Sequence, residues 1–339
     1  MDSEHDRPNT APPVPLLGAR PGGPGLTGEP LALPFRPEEL ASAYGYADRA
    51  QAPATARAYR ADVATFAAWC TARGLPSCPA APATVAVFLA DEARRGVKPS
   101  TLSRRLAAIR HAHVATRLEP PTASMEVRHV MRGIRRTVGT RPIKKAPATA
   151  ERVLVMVHHC PATLAGIRDR ALLLLGFGGA FRRSELAALD VADLEERPEG
   201  LRVTVRQSKT DQEGAGAVVP ITRGAHACPV AAVRTWLAAA GITEGPVFRP
   251  VSKEGRPRSA RLTPHSVGQI VKAYAARAGY DPAAYGGHSL RAGFLTSAAE
   301  RGKSLDRMMA VSRHKRVDTV LGYVRRADDF KDHAGAGLL

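Results

Sequence analysis

The chain has 339 residues, which is enough for two domains of ordinary size. Apolar residues make up 44% of it and charged residues 24%, a globular composition that excludes disorder over the whole length. The longest apolar run, residues 171–181, contains three glycines. Since a membrane-spanning helix needs about 20 apolar residues, we expect no membrane span.

The four cysteines are scattered, and no two have the CxxC spacing of a zinc site. The sequence therefore predicts neither a disulfide framework nor a structural zinc. The N-terminus is acidic and lacks the apolar segment of a signal peptide. We expect a cytoplasmic protein with reduced thiols.

Positive charge extends over most of the chain, which has a net charge of +18. Residues 37–146 carry 18 basic and 8 acidic side chains, and residues 147–339 carry 28 and 19. Residues 1–36 carry 3 basic and 4 acidic side chains. Two basic regions are typical of a protein that binds a polyanion with both, and nucleic acid is the usual polyanion. A generally basic protein without such a partner is the alternative.

The N-terminal segment, residues 1–36, is rich in proline and glycine and has no apolar periodicity, so we expect disorder there. Helical periodicity follows, with apolar residues on one face of each predicted helix. Helices are predicted to begin at Pro53, Pro82 and Pro99, and a fourth covers about residues 123–136. Residues 37–137 are therefore predicted to form a helical bundle with basic helix ends.

Residues 138–147 contain proline, glycine and basic side chains, and we predict a basic linker. Residues 148–339 then mix helical patterns with two short strands, at 201–205 and 218–221, that form a hairpin. Pro220 favours a sheet edge for the second strand. Helices are predicted over about residues 149–159, 163–178, 183–189, 229–240, 264–278, 289–300, 304–311 and 317–325. The fold class is mostly α, with a small antiparallel β-hairpin or sheet in the C-terminal domain.

Four short patterns in this domain carry side chains that suit reactions at a phosphodiester. They are an arginine before Ser-Glu-Leu, a lysine at the hairpin turn, a His-x-x-Arg pair, and a histidine nine residues before a tyrosine: Arg182, Lys209, His288 with Arg291, and His314 with Tyr323. Each pattern alone is common on ordinary helices and turns. Their order along one chain is much rarer.

Together these residue types suit phosphoryl transfer. Two arginines can clamp the charge that develops on the phosphate oxygens. A tyrosine can attack phosphorus if nearby positive charge helps it to ionise, and a lysine can protonate the leaving oxygen. His288 and Arg291 lie on the same helix face, so they can address one phosphate. No cluster of acidic and histidine residues has metal-ligand spacing, which favours transfer without a metal cofactor.

This ordered set resembles the tyrosine recombinase family, also called the phage integrase family, over about residues 50–326. Residues 179–186 match its Gly-x-x-Arg-x-Ser-Glu-Leu stretch. In that register Arg182, and not Arg183, matches the first catalytic arginine, and Glu185 matches the acidic position of the active site. The other matching positions are Lys209, His288, Arg291, His314 and Tyr323.

The resemblance implies a SAM-like helical core-binding domain and a mixed α+β catalytic domain, which clamp double-stranded DNA. It implies that Tyr323 attacks a phosphodiester, leaving a 3′-phosphotyrosyl enzyme and a free 5′-hydroxyl, without metal, ATP or another cofactor. Lys209 would be the general acid, and His288 would assist proton transfer. The expected assembly is a homotetramer on paired sites, with an accessory directionality protein as a further candidate partner. A nucleoid-associated enzyme of a mobile element fits this description.

The sequence departs from the family pattern at two places. Ser312-Arg313 stands where Leu-Gly is usual, and Gly322 directly precedes the tyrosine. Arg313 is therefore a candidate for an additional DNA contact. The other candidate DNA-contact residues surround one helix start or lie in the linker: Arg94, Arg95, Lys98, Arg104, Arg105, Lys144 and Lys145.

Two rival functions stay open at this point. One is a DNA-binding regulator without catalysis, or a decayed integrase, although the seven matched catalytic positions argue against it. The other is a topoisomerase of type IB character, which uses a similar tyrosine but relaxes supercoils without exchanging partners. An assay of plasmid relaxation beside one of two-site recombination separates all three.

Overall fold

The structure is a computed structural model of the chain. It describes residues 51–141, 145–206 and 216–327, together with residues 36, 38, 39, 41, 42, 45 and 46. The chain divides into two compact units, Met1–Pro142 and Ile143–Leu339, called here the N-terminal and C-terminal units. Their boundary falls within the predicted linker. The disorder predicted for residues 1–36 concerns a segment that lies almost wholly outside the described residues.

Proline begins the first helices of the N-terminal unit. Its fixed φ suits the first helical turn, where an N–H is not needed. The fourth helix is capped instead by Ser124, whose hydroxyl oxygen accepts a hydrogen bond from the Val127 N–H. The helices are α1 (Pro53–Thr71), α2 (Pro82–Arg94), α3 (Pro99–Ala115) and α4 (Met125–Val138), with a 3₁₀ turn at Pro121–Ala123. The helical bundle predicted from the sequence is confirmed.

Aromatic side chains from α1 and α2 form the centre of this unit's core. The Phe88 ring centroid lies 5.0 Å from that of Phe66 and 5.4 Å from that of Trp69. Leu102 and Ile109 of α3 are buried against the same cluster. The apolar faces read from the sequence therefore meet in one core.

The C-terminal unit is helical around a small sheet. Its helices are α5 (Ala150–His158), α6 (Leu164–Gly178), α7 (Arg183–Ala188), α8 (Pro229–Ala240), α9 (Pro264–Arg277), α10 (Ser289–Glu300), α11 (Leu305–Ser312) and α12 (Val317–Ala327). Its strands are β1 (Leu194–Arg197), β2 (Gly200–Val205) and β3 (Ala217–Thr222). The predicted fold class is confirmed. Within the described residues, no helix is long and apolar enough to cross a bilayer.

The sheet is antiparallel, with β2 between β1 and β3 in the described residues. Val203 of β2 pairs with Leu194 of β1 and with Val219 of β3. Pro220 lies on β3, at an edge of this sheet, as the sequence indicated. The strand β1 was not predicted, because its Leu-Glu-Glu-Arg sequence is exposed at three of four positions and has no apolar alternation.

Close packing of α6 and α10 brings the later site residues together. A Cβ added at Gly176 of α6 would lie 2.8 Å from the Leu290 side chain of α10. A Cβ added at Gly293 of α10 would lie 1.7 Å from the Ala148 carbonyl oxygen. Glycine at both positions lets α10 lie directly against α6 and the segment before α5. The N-terminal end of α10 thereby reaches the turn that follows α6.

Candidate active site

Arg182 and Glu185 are fixed by the start of α7. The chain turns sharply after α6, with Ala180 at φ 45°, and Arg182 is the residue before the first turn of α7. Glu185 folds back from that turn and accepts hydrogen bonds from the Arg182 backbone N–H at 2.9 Å and from its Nη1 at 2.5 Å. The Glu185 side chain is 1% exposed. Arg182 is thus held by a carboxylate that water does not reach.

The neighbouring Arg183 faces away from this arrangement. Its side chain is exposed and lies against Gly287, where an added Cβ would come within 2.9 Å of it. Sequence register assigned the first catalytic position to Arg182. The structure likewise places Arg182 beside Glu185 and leaves Arg183 at the surface.

Arg291 is a fully buried cation. Its Nη1 donates a hydrogen bond of 2.7 Å to the Ala180 carbonyl, and its Nη2 lies 3.4 Å from each ring nitrogen of His314. Its Nε–H is buried without a hydrogen-bond partner among the described residues. Burial, then the charge of Arg182, lower the pKa of Arg291 to about 9, while Glu185 and Tyr323 oppose that fall. Arg291 is therefore still positively charged at neutral pH.

The two site histidines are kept neutral by the same surroundings. Burial and then the charges of Arg291 and Arg182 lower the pKa of His314 to about 4. The His314 Nδ1 lies 2.9 Å from the buried Ser312 hydroxyl. His288 is the N-cap residue of α10, without a capping hydrogen bond from its side chain, and it is exposed. Loss of hydration, followed by the charges of Arg291 and Arg182, lowers its pKa.

Tyr323 comes to the site from α12. Its side chain is half-buried and packs against a cluster of Leu295, Met308 and Val320, contributed by α10, α11 and α12. A negative charge on Tyr323 raises the pKa of Arg291, so the two groups lie within electrostatic range. The structure therefore brings Arg182, Glu185 and Arg291 together with residues that follow up to 141 positions later in the chain.

Arg313 lies inside the site rather than on open surface. Its Nη2 donates a hydrogen bond of 2.7 Å to Glu185, and its side chain is 11% exposed. Burial alone would raise the pKa of Glu185, but the charge of Arg313 and the hydrogen bonds from Arg182 outweigh it and lower that pKa. Lys209, the predicted general acid, lies outside the described residues.

Acidic residues of the N-terminal unit hold most of the predicted DNA-contact arginines. Asp91 receives a 2.8 Å hydrogen bond from Trp69 Nε1 and pairs with Arg94 at 2.9 Å and Arg95 at 3.1 Å. The bond from Trp69 is the main cause of its lowered pKa. Arg94 and Arg95 nevertheless stay exposed, and so does Lys98 at the start of α3. A buried carboxylate thus orients two surface cations.

Arg104 and Arg105 differ, although they are adjacent. Arg104 is half exposed and forms a 2.7 Å ion pair with the buried Asp62. Arg105 is 15% exposed, pairs with Glu92 and lies over the Phe88 ring, so it is part of the interior. In the linker, Lys145 donates to the Ala283 carbonyl, whereas Lys144 lies outside the described residues.

Three groups in these contacts were missed by sequence reasoning: the Ser312 hydroxyl and the carboxylates of Asp62 and Asp91. Asp62 and Arg104 are 42 positions apart, and no local pattern connects them.

Within the described ranges, no group of three or more histidine, cysteine or acidic side chains could hold a metal ion.

The phage integrase family model matches residues 148–329, which is more than half of the chain. The chain belongs to the phage integrase family. A second model, the N-terminal SAM-like domain of phage integrases, matches residues 44–117. The predicted family and the predicted SAM-like and catalytic folds are thereby confirmed.

Named relatives of this integrase-family chain are recombinases. The integrase/recombinase XerD homolog of Selenomonas ruminantium is 38% identical over 294 residues, covering 85% of this chain and 86% of that protein. The recombinase Cre of Escherichia phage P1 is 26% identical over 285 residues, covering 78% of this chain and 81% of that protein. A crystal structure of the XerH site-specific recombinase bound to difH, a post-cleavage complex, matches with a TM-score of 0.52 over 74% of this chain and 69% of that one. At 14% identity that match supports the fold.

Proposed function

We propose that this protein is a site-specific DNA recombinase in which Tyr323 is the nucleophile. The observation that carries the proposal is the convergence of Arg182, Arg291 and His314 at a buried site, with Tyr323 within electrostatic range of Arg291. Family membership and the recombinases among its relatives support the same activity.

The charges of the site suit a phosphodiester. Arg182 and Arg313 pair with one carboxylate, Glu185, and Arg291 lies within electrostatic range of it. Burial keeps His314 neutral at pH 7. The site therefore has a positive excess in a region of low dielectric, where attraction for an anion is strong. Among the described residues the Arg291 Nε–H has no hydrogen-bond partner, and the Nη2 contact with His314, at 3.4 Å, is long for a hydrogen bond. We therefore propose Nη2, rather than the buried Nε–H, as the Arg291 donor to a phosphate oxygen.

His314 can supply a further hydrogen bond. If the Ser312 hydroxyl donates to Nδ1, the proton of the neutral ring is left on Nε2. A neutral histidine with a protonated Nε2 donates to a phosphate oxygen and strengthens that bond as negative charge develops. His288, which is also biased towards its neutral form, can accept the proton of the tyrosine hydroxyl.

The reaction exchanges one phosphoester bond for another. A bond forms between the Tyr323 oxygen and phosphorus, the bond from phosphorus to the 5′-oxygen breaks, and that oxygen takes a proton, for which we propose Lys209. The 5′-hydroxyl of a second strand then attacks the phosphotyrosyl bond and releases the tyrosine. Because the number of phosphoester bonds does not change, the proposed cycle needs no ATP.

Exchange between two duplexes requires paired sites, so we propose a homotetramer on double-stranded DNA, with an accessory directionality protein where one direction is favoured. Arg94, Arg95, Lys98 and Arg104 are the proposed phosphate contacts of the N-terminal unit, since all four reach solvent. We place the protein at the bacterial nucleoid, where its DNA sites would be.

The test uses the hydroxyl of Tyr323. Nicked duplexes of randomised sequence are incubated with the wild-type chain, and DNA that becomes covalently attached is recovered and amplified as a cleavage pool. On this pool Tyr323→Phe should bind DNA as the wild type does but form no adduct on a denaturing gel, because only the attacking oxygen is lost. Tyr280→Phe, on another half-buried tyrosine, is the matched control and should form adduct normally. Adduct formed by Tyr323→Phe at the wild-type level would assign the attack to another residue.

A supercoiled plasmid with one recovered site, and another with two, then separate strand exchange from relaxation. Recombined circles from the two-site plasmid are expected. Relaxation of both plasmids without recombinants would indicate the topoisomerase alternative.

A further inference from the structure

Arg313 occupies a backbone position that favours glycine. It ends α11 with φ 57° and ψ 37°, in the left-handed region. A side chain with a Cβ is strained in this region, whereas glycine is not. The backbone alone therefore gives no reason for arginine at this position, and the reason lies in the contacts of its side chain.

The Arg313 side chain joins three separate segments. Its Nη1 donates to the Val311 carbonyl at 2.8 Å, at the end of α11, and to the Gly179 carbonyl at 3.3 Å, in the turn after α6. Its Nη2 donates to Glu185 of α7 at 2.7 Å. The guanidinium carbon lies 5.1 Å from the centroid of the buried Phe181 ring. The side chain that directly precedes His314 is thereby tied to the turn that carries Arg182.

Glu185 passes this connection on to Arg182. Its Oε2 accepts from Arg313 Nη2 and from the backbone N–H of Arg182, while its Oε1 accepts from Arg182 Nη1. With Oε2 fixed by two donors, the carboxylate plane is set, and Oε1 can hold the Arg182 guanidinium in one orientation. In the described part of the chain, Glu185 is thus the hydrogen-bonded link between Arg313 and Arg182.

We propose that Arg313 is a positioning residue for strand cleavage, which orients Arg182 through Glu185 and supplies the positive charge that this carboxylate would otherwise cancel. The inference rests on the proposed function, because it assumes that Arg182 contacts the scissile phosphate. Without Arg313, Arg182 and Glu185 would form a neutral pair. With it, the three groups keep one positive charge beside Arg291.

This role differs from the DNA contact that the sequence suggested for Arg313. Both terminal nitrogens bond within the protein, and the buried Nε–H has no partner among the described residues. An arginine that is 11% exposed could reach a DNA phosphate only by giving up these bonds. A positioning residue should affect the cleavage rate, whereas a DNA contact should affect affinity and its salt dependence.

The first experiment separates these effects with Arg313→Gly, using the cleavage pool defined above. Glycine suits the left-handed backbone, so the variant should keep its fold, which a thermal melt would check. We expect the rate of adduct formation at saturating DNA to fall about tenfold to a hundredfold, the cost of misplacing a reacting group. DNA affinity and its salt dependence should stay within about twofold of the wild type, because no phosphate contact is lost.

Arg316→Ala is the matched control, since Arg316 is exposed and lies only three positions further along. It should leave the cleavage rate unchanged. A loss of affinity with an unchanged rate in Arg313→Gly would assign Arg313 to DNA contact and overturn the proposal.

A double-mutant cycle tests the route through Glu185. In a Glu185→Gln background the added effect of Arg313→Gly should shrink to less than about twofold, because groups that act as one unit are not additive. Full additivity of the two effects would show that Arg313 acts independently of Glu185.

A third measurement needs no DNA and separates failure of this inference from failure of the proposed function. The NMR signal of the Arg182 Nε–H group, identified by its loss in Arg182→Lys, should be sharp in the wild type and broadened in Arg313→Gly. If the wild type forms no adduct with any duplex, the proposed function fails while this signal still reports the positioning. An unchanged signal in Arg313→Gly would refute the positioning role.

Discussion

Arg182 and Arg183 offer a matched test of the active site. Replacing either with alanine removes the same charge from adjacent positions, so the long-range attraction for DNA falls equally in both variants. The local surroundings differ, because Arg182 bonds to the buried Glu185 while Arg183 is exposed against Gly287. A difference between the variants therefore reports contact at the reacting phosphate and not net charge.

The expected magnitude follows from what each arginine touches. Removal of one preorganised donor to developing negative charge costs roughly 3 kcal/mol in the barrier, on the order of a hundredfold in rate. Glu185 would keep its hydrogen bonds from Arg313 and from the backbone N–H of residue 182, so the Arg182→Ala chain should still fold. Arg183→Ala removes a solvated charge and should change the rate by less than about threefold, as exposed charges contribute little.

The assay is the time course of covalent adduct formation on the cleavage pool at saturating DNA, with affinity measured separately. The reasoning requires a large rate defect in Arg182→Ala, nearly normal affinity in both variants, and a mild defect in Arg183→Ala. The opposite ranking would show that the register is wrong by one residue. If both variants had equal rate defects and equal losses of affinity, both arginines would contribute to DNA binding and not to the chemical step.

Further outcomes follow for binding, pH and packing. A fragment of residues 37–146 should bind duplex DNA weakly and lose affinity steeply with salt, since each neutralised phosphate releases counterions. A truncation that begins at residue 37 should bind DNA like the full chain. Absence of DNA binding by the fragment at low salt would contradict a DNA-binding role of the N-terminal unit. DNA binding should be accompanied by proton uptake between about pH 4 and pH 6.5. The pKa of His314 is lowered from 6.5 to about 4 in the free chain, and a bound phosphate would raise that pKa again. Calorimetry in buffers of different ionisation enthalpy measures the uptake, which should be smaller in His314→Asn. For the same reason the free chain should lose stability as pH falls from about 6.5 towards 4, since the unfolded state then binds the proton more readily. Gly293→Ala should lower the free energy of unfolding by about 1–3 kcal/mol, because the added Cβ overpacks against the Ala148 carbonyl. Gly322→Ala should leave it unchanged, since there is open space around Gly322. Thermal melts of the two variants measure the difference.

Much of the fold could be predicted because its signals are local. Proline at a first helical turn marked α1, α2 and α3, and the apolar face of α3 placed Leu102 and Ile109 in the core. Alternating side chains marked β2. The strand β1 carries no such signal, since it pairs through its backbone while three of its four side chains are exposed.

The candidate site was predicted differently, from residue order and spacing. Those features indicated which side chains take part, but not what each one touches. Arg291 donates to a carbonyl 111 positions earlier, and Arg313 to a carboxylate 128 positions earlier. Such pairings depend on the packing of α10 against α6 and on the place where α11 ends. The sequence suggested a DNA contact for Arg313, and it carried no sign that both terminal nitrogens of this side chain form hydrogen bonds within the protein.

The stability of the site also depends on this packing. The three arginines of the site lose hydration on burial, and their charges repel one another. Both effects disfavour the charged form, so the pKa of Arg291 and the pKa of Arg313 are lowered. One carboxylate, Glu185, and the carbonyls of Ala180, Gly179 and Val311 offset part of that cost. The remaining excess of positive charge is unfavourable in the free protein, and an anion at the site would relieve it. A bound phosphodiester should therefore stabilise the C-terminal unit, most strongly as its charge increases towards the transition state.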